Sequence, residues 1–310
     1  MQRLRNERGN TVAIVLGVVL AIVLVSPLVL HFTQKRHNRL PFDALEAYPP
    51  GQPMANGEAF AETVIAIMEH ELSSRSGWRP NDFVLWGPAV LADNNANRQL
   101  GIIQAVRESV RIFKDNLTKV SATEYDTNLV FADTAFRNDA EKFWFPSAEN
   151  KFREGVAALR RYIDGLRTTP PKSKPINRRN VEVIRLFQSW TDLLGDAHAN
   201  LFKTHEADGS RVPMWRTDDY FYHAQGFAHV MYHLARALKR EYEVDLINRP
   251  SVAQMLDEVI DALGRASTLK PLIVLDGTPA GLFANHRRNL HAYIVEARQK
   301  MYSIREELEK

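Results

Sequence analysis

Between Asn10 and Lys35 the chain carries no charged side chain, and residues 11–32 read TVAIVLGVVLAIVLVSPLVLHF, mostly Val, Leu, Ile and Ala. At about 1.5 Å per residue, a helix opening at Thr11 and closing at Phe32 covers the roughly 30 Å hydrocarbon layer of a bilayer. Core helices and the apolar parts of signal peptides are usually shorter. Pro27 is tolerable near the far end, because neighbouring groups can take up the freed carbonyl. A cleaved signal peptide would need small residues just beyond the run, whereas LHFTQKR follows from Leu30 to Arg36. The sequence therefore predicts a retained, single-pass transmembrane helix with the membrane as its first partner.

Orientation rests on length more than on charge. Arg3, Arg5 and Arg8 before the run are matched by Lys35, Arg36 and Arg39 after it, so the positive-inside count ties. A short tail with three arginines is awkward to translocate, while a long following domain crosses largely regardless of charge. The expectation is a cytoplasmic tail over residues 1–10 and an extracytoplasmic body. Of the 40 Lys and Arg residues those six flank the run, where only Glu7 opposes them, so beyond it the acidic residues slightly outnumber the basic. A nucleic-acid binder would carry its basic excess in the folded domain, so no nucleic-acid partner is expected. The chain has no cysteine, which removes disulfides and thiolate metal sites.

Residues 33–55 read as a proline-rich stalk, with Pro41, Pro49, Pro50 and Pro53. Beyond it the apolar spacing is helical throughout. Phe60, Val64, Met68 and Leu72 mark one stripe; Ile103, Val106, Val110, Phe113 and Leu117 mark a second, in a helix opening at Asn97. A short helix is predicted at 133–143. Ser147 caps the next, whose stripe is Phe152, Val156, Leu159, Ile163 and Leu166. TTPPKSKPIN, residues 168–177, cannot continue it and divides the body into halves at 56–168 and 178–310. In the second half Val183, Phe187, Trp190, Leu194 and Leu201 form one stripe, and Phe227, Met231, Leu234 and Leu238 another, in a helix capped by Thr217. A helix after Pro250 buries Val252, Leu256, Val259 and Leu263. Leu272 to Leu275 reads as a short strand or connector. A last helix opens at Thr278-Pro279, and Leu290, Ile294, Ala297, Met301, Ile304 and Leu308 give it an intramolecular coiled-coil seam. The predicted fold class is all-α: a transmembrane helix followed by a helical-bundle body in two helical halves.

Histidines supply the chemistry to weigh. His229 and His233 stand four apart on one helix face, nearly opposite the Phe227/Met231 stripe, with Tyr222, Gly226, Arg236 and Arg240 beside them. Two imidazoles so spaced can chelate a divalent metal, with His198 or His205 of the preceding segment as third ligand. No Glu follows the first His as a zincin requires, and His70-Glu71 and His205-Glu206 lack the second His. The plainer reading is a helix packed on both sides, with its histidines hydrogen-bonded and no cofactor. The chain lacks a Gly-rich phosphate loop, a Gly-x-Ser-x-Gly elbow and a Ser-x-x-Lys pair. A basic segment holding Arg160, Arg161, Lys172, Lys174, Arg178 and Arg179 could lie against an anionic surface or serve as a solvated helix end and loop.

The apolar run followed by GWRPNDFVLWGP, DNNANRQLG at 93–101, WFPSAENKF at 144–152 and YFYHAQGFAHVMYH at 220–233 resembles a family of single-pass bacterial envelope proteins known only as a domain of unknown function. The resemblance implies a bacterial inner-membrane anchor and assigns no activity; in such a membrane the extracytoplasmic body expected from the short tail is a periplasmic one. Two functional classes follow. The first is a non-enzymatic membrane-anchored scaffold or accessory protein offering faces to envelope protein partners. The alternative is an envelope hydrolase with a metal-assisted site around His198, His229 and His233.

Overall fold

The apolar run lies in the first helix of a computed structural model that describes residues 2–38, 42–74, 77–82, 93–118, 124–271, 274–277 and 283–310, with the backbone alone for residues 2–10, 27, 28, 31, 214 and 215. This helix, α1 (Gln2–His37), turns its apolar side chains outward: Leu16, Leu20 and Leu24 are 64%, 59% and 63% exposed. Among the described residues no helix is long and apolar enough to cross a membrane. The span expected over residues 11–32 includes Pro27, Leu28 and His31, whose side chains are not described.

Among the described residues the body is all-helical, without strands: α2 (Glu58–Ser73), α3 (Asp93–Ile112) running on into a π-helical turn (Phe113–Leu117), α4 (Thr127–Phe136), α5 (Ala148–Leu166), α6 (Asn180–Phe202), α7 (Met214–Glu241), α8 (Glu243–Ile247), α9 (Pro250–Thr268) and α10 (His286–Glu309). Helix α7 is central and packs on α2, α3, α6, α9 and α10. It can do so because Phe221, Phe227, Val230, Met231, Leu234 and Leu238 bury apolar surface around much of its girth, as a helix enclosed by others must. Its closest crossing is with α3, at Gly226 and Gly101. A Cβ on Gly226 would fall on the Arg98 carbonyl oxygen, and one on Gly101 on the His223 carbonyl oxygen, so the backbones meet only because both side chains are absent.

Helices α2 and α5 run antiparallel. Glu58 pairs with Arg167 at one end, Glu69 with Arg160 further along (2.7 Å), and Trp78, just past α2, meets Phe152 in the first turns of α5 (5.0 Å between rings). The start of α2 is held from far away in the chain. Its Gly57 and Phe60 amides donate to the buried Glu241 carboxylate at the end of α7 (2.9 and 3.1 Å), occupying orphan donors of the first turn. The bundle thus has two ends. One carries the C-terminus of α2 and the N-terminus of α5; the other carries the start of α2 and the end of α7. A single core crosses the boundary expected at 168–177: Trp190 of α6 donates Nε1 to Ser109 Oγ of α3 (2.9 Å), and the α10 seam from Leu290 to Leu308 is buried against α6 and α9.

Several local expectations need correcting. The segment before α2 is no free stalk. Arg236 forks onto Asp43 (3.0 and 3.3 Å), Arg240 donates to the Pro49 carbonyl (3.1 Å), and Ala44 and Tyr48 are buried. The helix expected at 133–143 lies at Thr127–Phe136, because Asp126 caps it by accepting from the Asn128 and Leu129 amides. Helix α3 opens at Asp93 rather than Asn97. Helix α7 opens at Met214, since the Thr217 hydroxyl donates back to the Pro213 carbonyl (3.3 Å) instead of capping. The last helix starts at His286 under an Asn285 cap; Thr278, Pro279, Leu272 and Ile273 lie outside the described residues. Most of the WRPNDFVLWGP segment, including Trp86, lies outside them too.

Candidate functional site

The histidine face of α7 is not pressed flat against a neighbour. Close packing at Gly226 draws α3 alongside, and between the start of α3, the end of α2, the end of α9 and the C-terminal turns of α1 a cavity of about 300 Å³ remains. Three bonds dock α1 over it. His37 stacks on His70 (4.1 Å between rings, 29°) and donates Nε2 to the His70 carbonyl oxygen (3.0 Å). Asn38 Nδ2 donates to Asn95 Oδ1 (2.7 Å), and Lys270 Nζ donates to the Asn38 carbonyl (2.8 Å). The Phe42 ring then covers His70 and His233, at 4.6 and 4.9 Å.

Six buried polar atoms on residues of the cavity walls lack partners. Gln34 Nε2, Asn38 Oδ1, Asn94 Oδ1, Asn95 Nδ2, His229 Nε2 and His233 Nδ1 are buried without a hydrogen bond, and all six residues line the cavity. Each such group costs about 1–3 kcal/mol if left dry, so their convergence on one cavity marks a site built for a polar occupant. The imidazoles are held neutral. Burial pushes His233 down to about 3 and His70 to about 4, with the nearby cations Arg236 and Arg98 acting in the same direction. Burial and Arg98 likewise hold His229 well below its ordinary value. Behind the wall, Glu71 is 1% exposed and receives Arg98 Nη1 (2.7 Å) and Gln99 Nε2 (3.1 Å). Burial alone would push its carboxyl up, but Arg98 and His70 outweigh it and keep it ionised. Arg79 pairs with Asp82 (3.0 Å).

Of the three histidines singled out in the sequence, His229 and His233 meet here, edge to face at 4.7 Å. His198 does not join them. It shares a hydrogen bond with His291 of α10 (2.8 Å) and stacks near Phe202, while His205 sits in the following loop against Thr204. The third histidine of the cavity is His70, whose α2 position is too remote in sequence for any spacing rule to connect it. Among the described residues no group of three or more His, Cys, Asp or Glu side chains converges to hold a metal ion. The basic segment is spread over separate faces and largely answered internally: Arg160 by Glu69, Arg161 by Asn128, Lys174 by Glu124, and Arg178 by Asp245 and Asn56, with Lys172 and Arg179 exposed.

The model of the family described as "Uncharacterized protein conserved in bacteria (DUF2333)" matches residues 5–181 and 176–310. No curated protein and no solved structure matches the chain.

Proposed function

Because the chain belongs to that bacterial family, whose description assigns no activity, we infer its role from its own geometry: a membrane-anchored helical accessory protein of the bacterial envelope, non-enzymatic, which seats the cavity end of its bundle against the inner membrane. The observation that carries this reading is the outward-facing apolar surface of α1, where Leu16, Leu20 and Leu24 have no protein packed over them. Water would make such a surface costly, and a bilayer would not. A second feature agrees. Phe143, Trp144 and Phe145, the last two 72% and 88% exposed, precede the N-terminus of α5, at the bundle end where α1 docks. Aromatic side chains favour the interfacial layer. The flanking charges tie, and the short arginine-bearing tail before the run favours a periplasmic body, which alkaline phosphatase fused after Lys310 tests. Activity in intact cells is expected, and a fusion inactive there would reverse the orientation.

A hydrolytic role is the second reading. The meeting of His229 and His233 edge to face in the wall of a cavity favours it, since paired imidazoles there can hold and orient an attacking water. Replacing both by Gln would abolish a hydrolase and leave an accessory protein able to complement a deletion strain.

A further inference from the structure

The lining of the cavity beneath α1 is one-sided in charge. Lys35, Arg79, Arg98 and Lys270 all contribute to it, and among the described residues no Asp or Glu does. The carboxylates that answer Arg98 and Arg79, Glu71 and Asp82, stand behind the lining. Lys270 donates to a neutral carbonyl, that of Asn38. Two lining side chains more than nine-tenths buried carry amide donors with no partner, Gln34 Nε2 and Asn95 Nδ2. Each neutral imidazole can add one N–H. Such a collection of cations and N–H donors suits a compact anion with several oxygens. The remaining unpartnered atoms, Asn38 Oδ1 and Asn94 Oδ1, can only accept, and so suit hydroxyls carried by the same molecule. Leu30 of α1 forms the rim, continuous with the exposed apolar side of that helix.

We propose that this cavity binds a phosphate ester with a hydroxylated substituent, the chemistry that an anionic phospholipid headgroup and a free phosphate ester share. Lys35, Lys270 and Arg98 face the phosphate, and the Asn38 and Asn94 oxygens take the hydroxyls. With a lipid as source, Leu30 passes its glycerol end on to the apolar flank of α1. Only the lipid source rests on the membrane-anchored reading.

The test uses the full chain purified in detergent, titrated with phosphatidylglycerol, phosphatidylcholine and glycerol phosphate, and read by melting temperature and by native mass. Phosphatidylglycerol should bind one per chain, and phosphatidylcholine should not compete. The double variant Lys35→Gln/Lys270→Gln should bind about tenfold or more weakly, as the loss of charge-assisted contacts implies. Both positions are at least partly exposed, so the variant's unliganded melt should fall by no more than the loss of the one Lys270–Asn38 bond implies, and binding is compared below both melts. Asn94→Leu is the second variant. It removes an amide but no charge, and should weaken phosphatidylglycerol more than inorganic phosphate titrated beside it. Saturation by glycerol phosphate as readily as by phosphatidylglycerol would assign a free ester; response to the lipid alone would assign the headgroup. The proposal is overturned if neither binds, if phosphatidylcholine binds equally, or if the double variant binds unchanged. Release of the chain from membranes by alkaline carbonate would end the anchor reading while leaving the glycerol phosphate arm standing, so the two failures are distinguishable.

Discussion

Asp219, in the first turns of α7, accepts from Asn97 (2.6 Å) beside Asp93 and Asp218, and burial followed by those two carboxylates pushes it up to about 7. Its unfolded value is about 3.9, so the folded chain holds the proton more tightly and loses stability as pH rises between the two values. Asp219→Asn should therefore stabilise the protein by about 1–2 kcal/mol near pH 8, and the gain should vanish near pH 4. Thermal melts at both values check it. His233 behaves oppositely. Burial pushes its imidazole down to about 3, with Arg236 and Arg98 raising the cost of charge and only Asp43 opposing them. The unfolded chain takes up that proton below about pH 6.5, so stability is lost as pH falls toward the folded value. His233→Gln should flatten this acid limb, measured as the difference in melting temperature between about pH 7 and pH 5. The i, i+4 spacing of His229 and His233 made this pair visible in the sequence. Their neutrality was not visible, because it comes from α1, α2 and Phe42 closing over them.

Among the helices, legibility followed amphipathicity. Helix α5, with its Ser147 cap and one-sided stripe, and α10, with its seam, match their predicted faces because each buries one side and wets the other. Helix α4 was misplaced because its start depends on Asp126, a capping group in a segment without a clear period. Helix α7 hid its role differently. Enclosed on several sides, it showed an apolar stripe and a polar face, and nothing in that pattern says that the polar face lines a cavity. The α3–α7 crossing decides the matter, since it holds Arg98, Asn95 and Asn94 opposite Gln225 and His229. Gly226→Ala would drive a methyl group into the Arg98 carbonyl and should cost about 3 kcal/mol or more, by forcing the helices apart. A denaturant melt measures this. Phosphatidylglycerol binding should fail with it if any folded protein remains.

At the scale of the molecule, α1 is the part that the folded body explains least. Its C-terminal turns are docked through His37, Asn38 and Gln34, while the apolar length before them touches little of the bundle. An Arg at the middle of a membrane span costs roughly 2.5–3.5 kcal/mol. On the anchored reading, Leu20→Arg should accordingly lower the fraction of chain that survives carbonate washing of membranes, whereas the exposed, body-borne Arg179→Gln should not. The remaining feature with a molecular consequence is the carboxylate that seats α2. Glu241 and Gly57 are 184 residues apart, so the ribosome delivers the start of α2 long before it delivers the group that completes it. Until α7 has been made, the first helix of the body has an open N-terminus and an uncovered flank, next to the apolar run of α1. The order of synthesis therefore places the apolar run of α1 first and the closure of the bundle last, and a nascent chain stopped short of residue 241 should be trimmed by protease back toward α1.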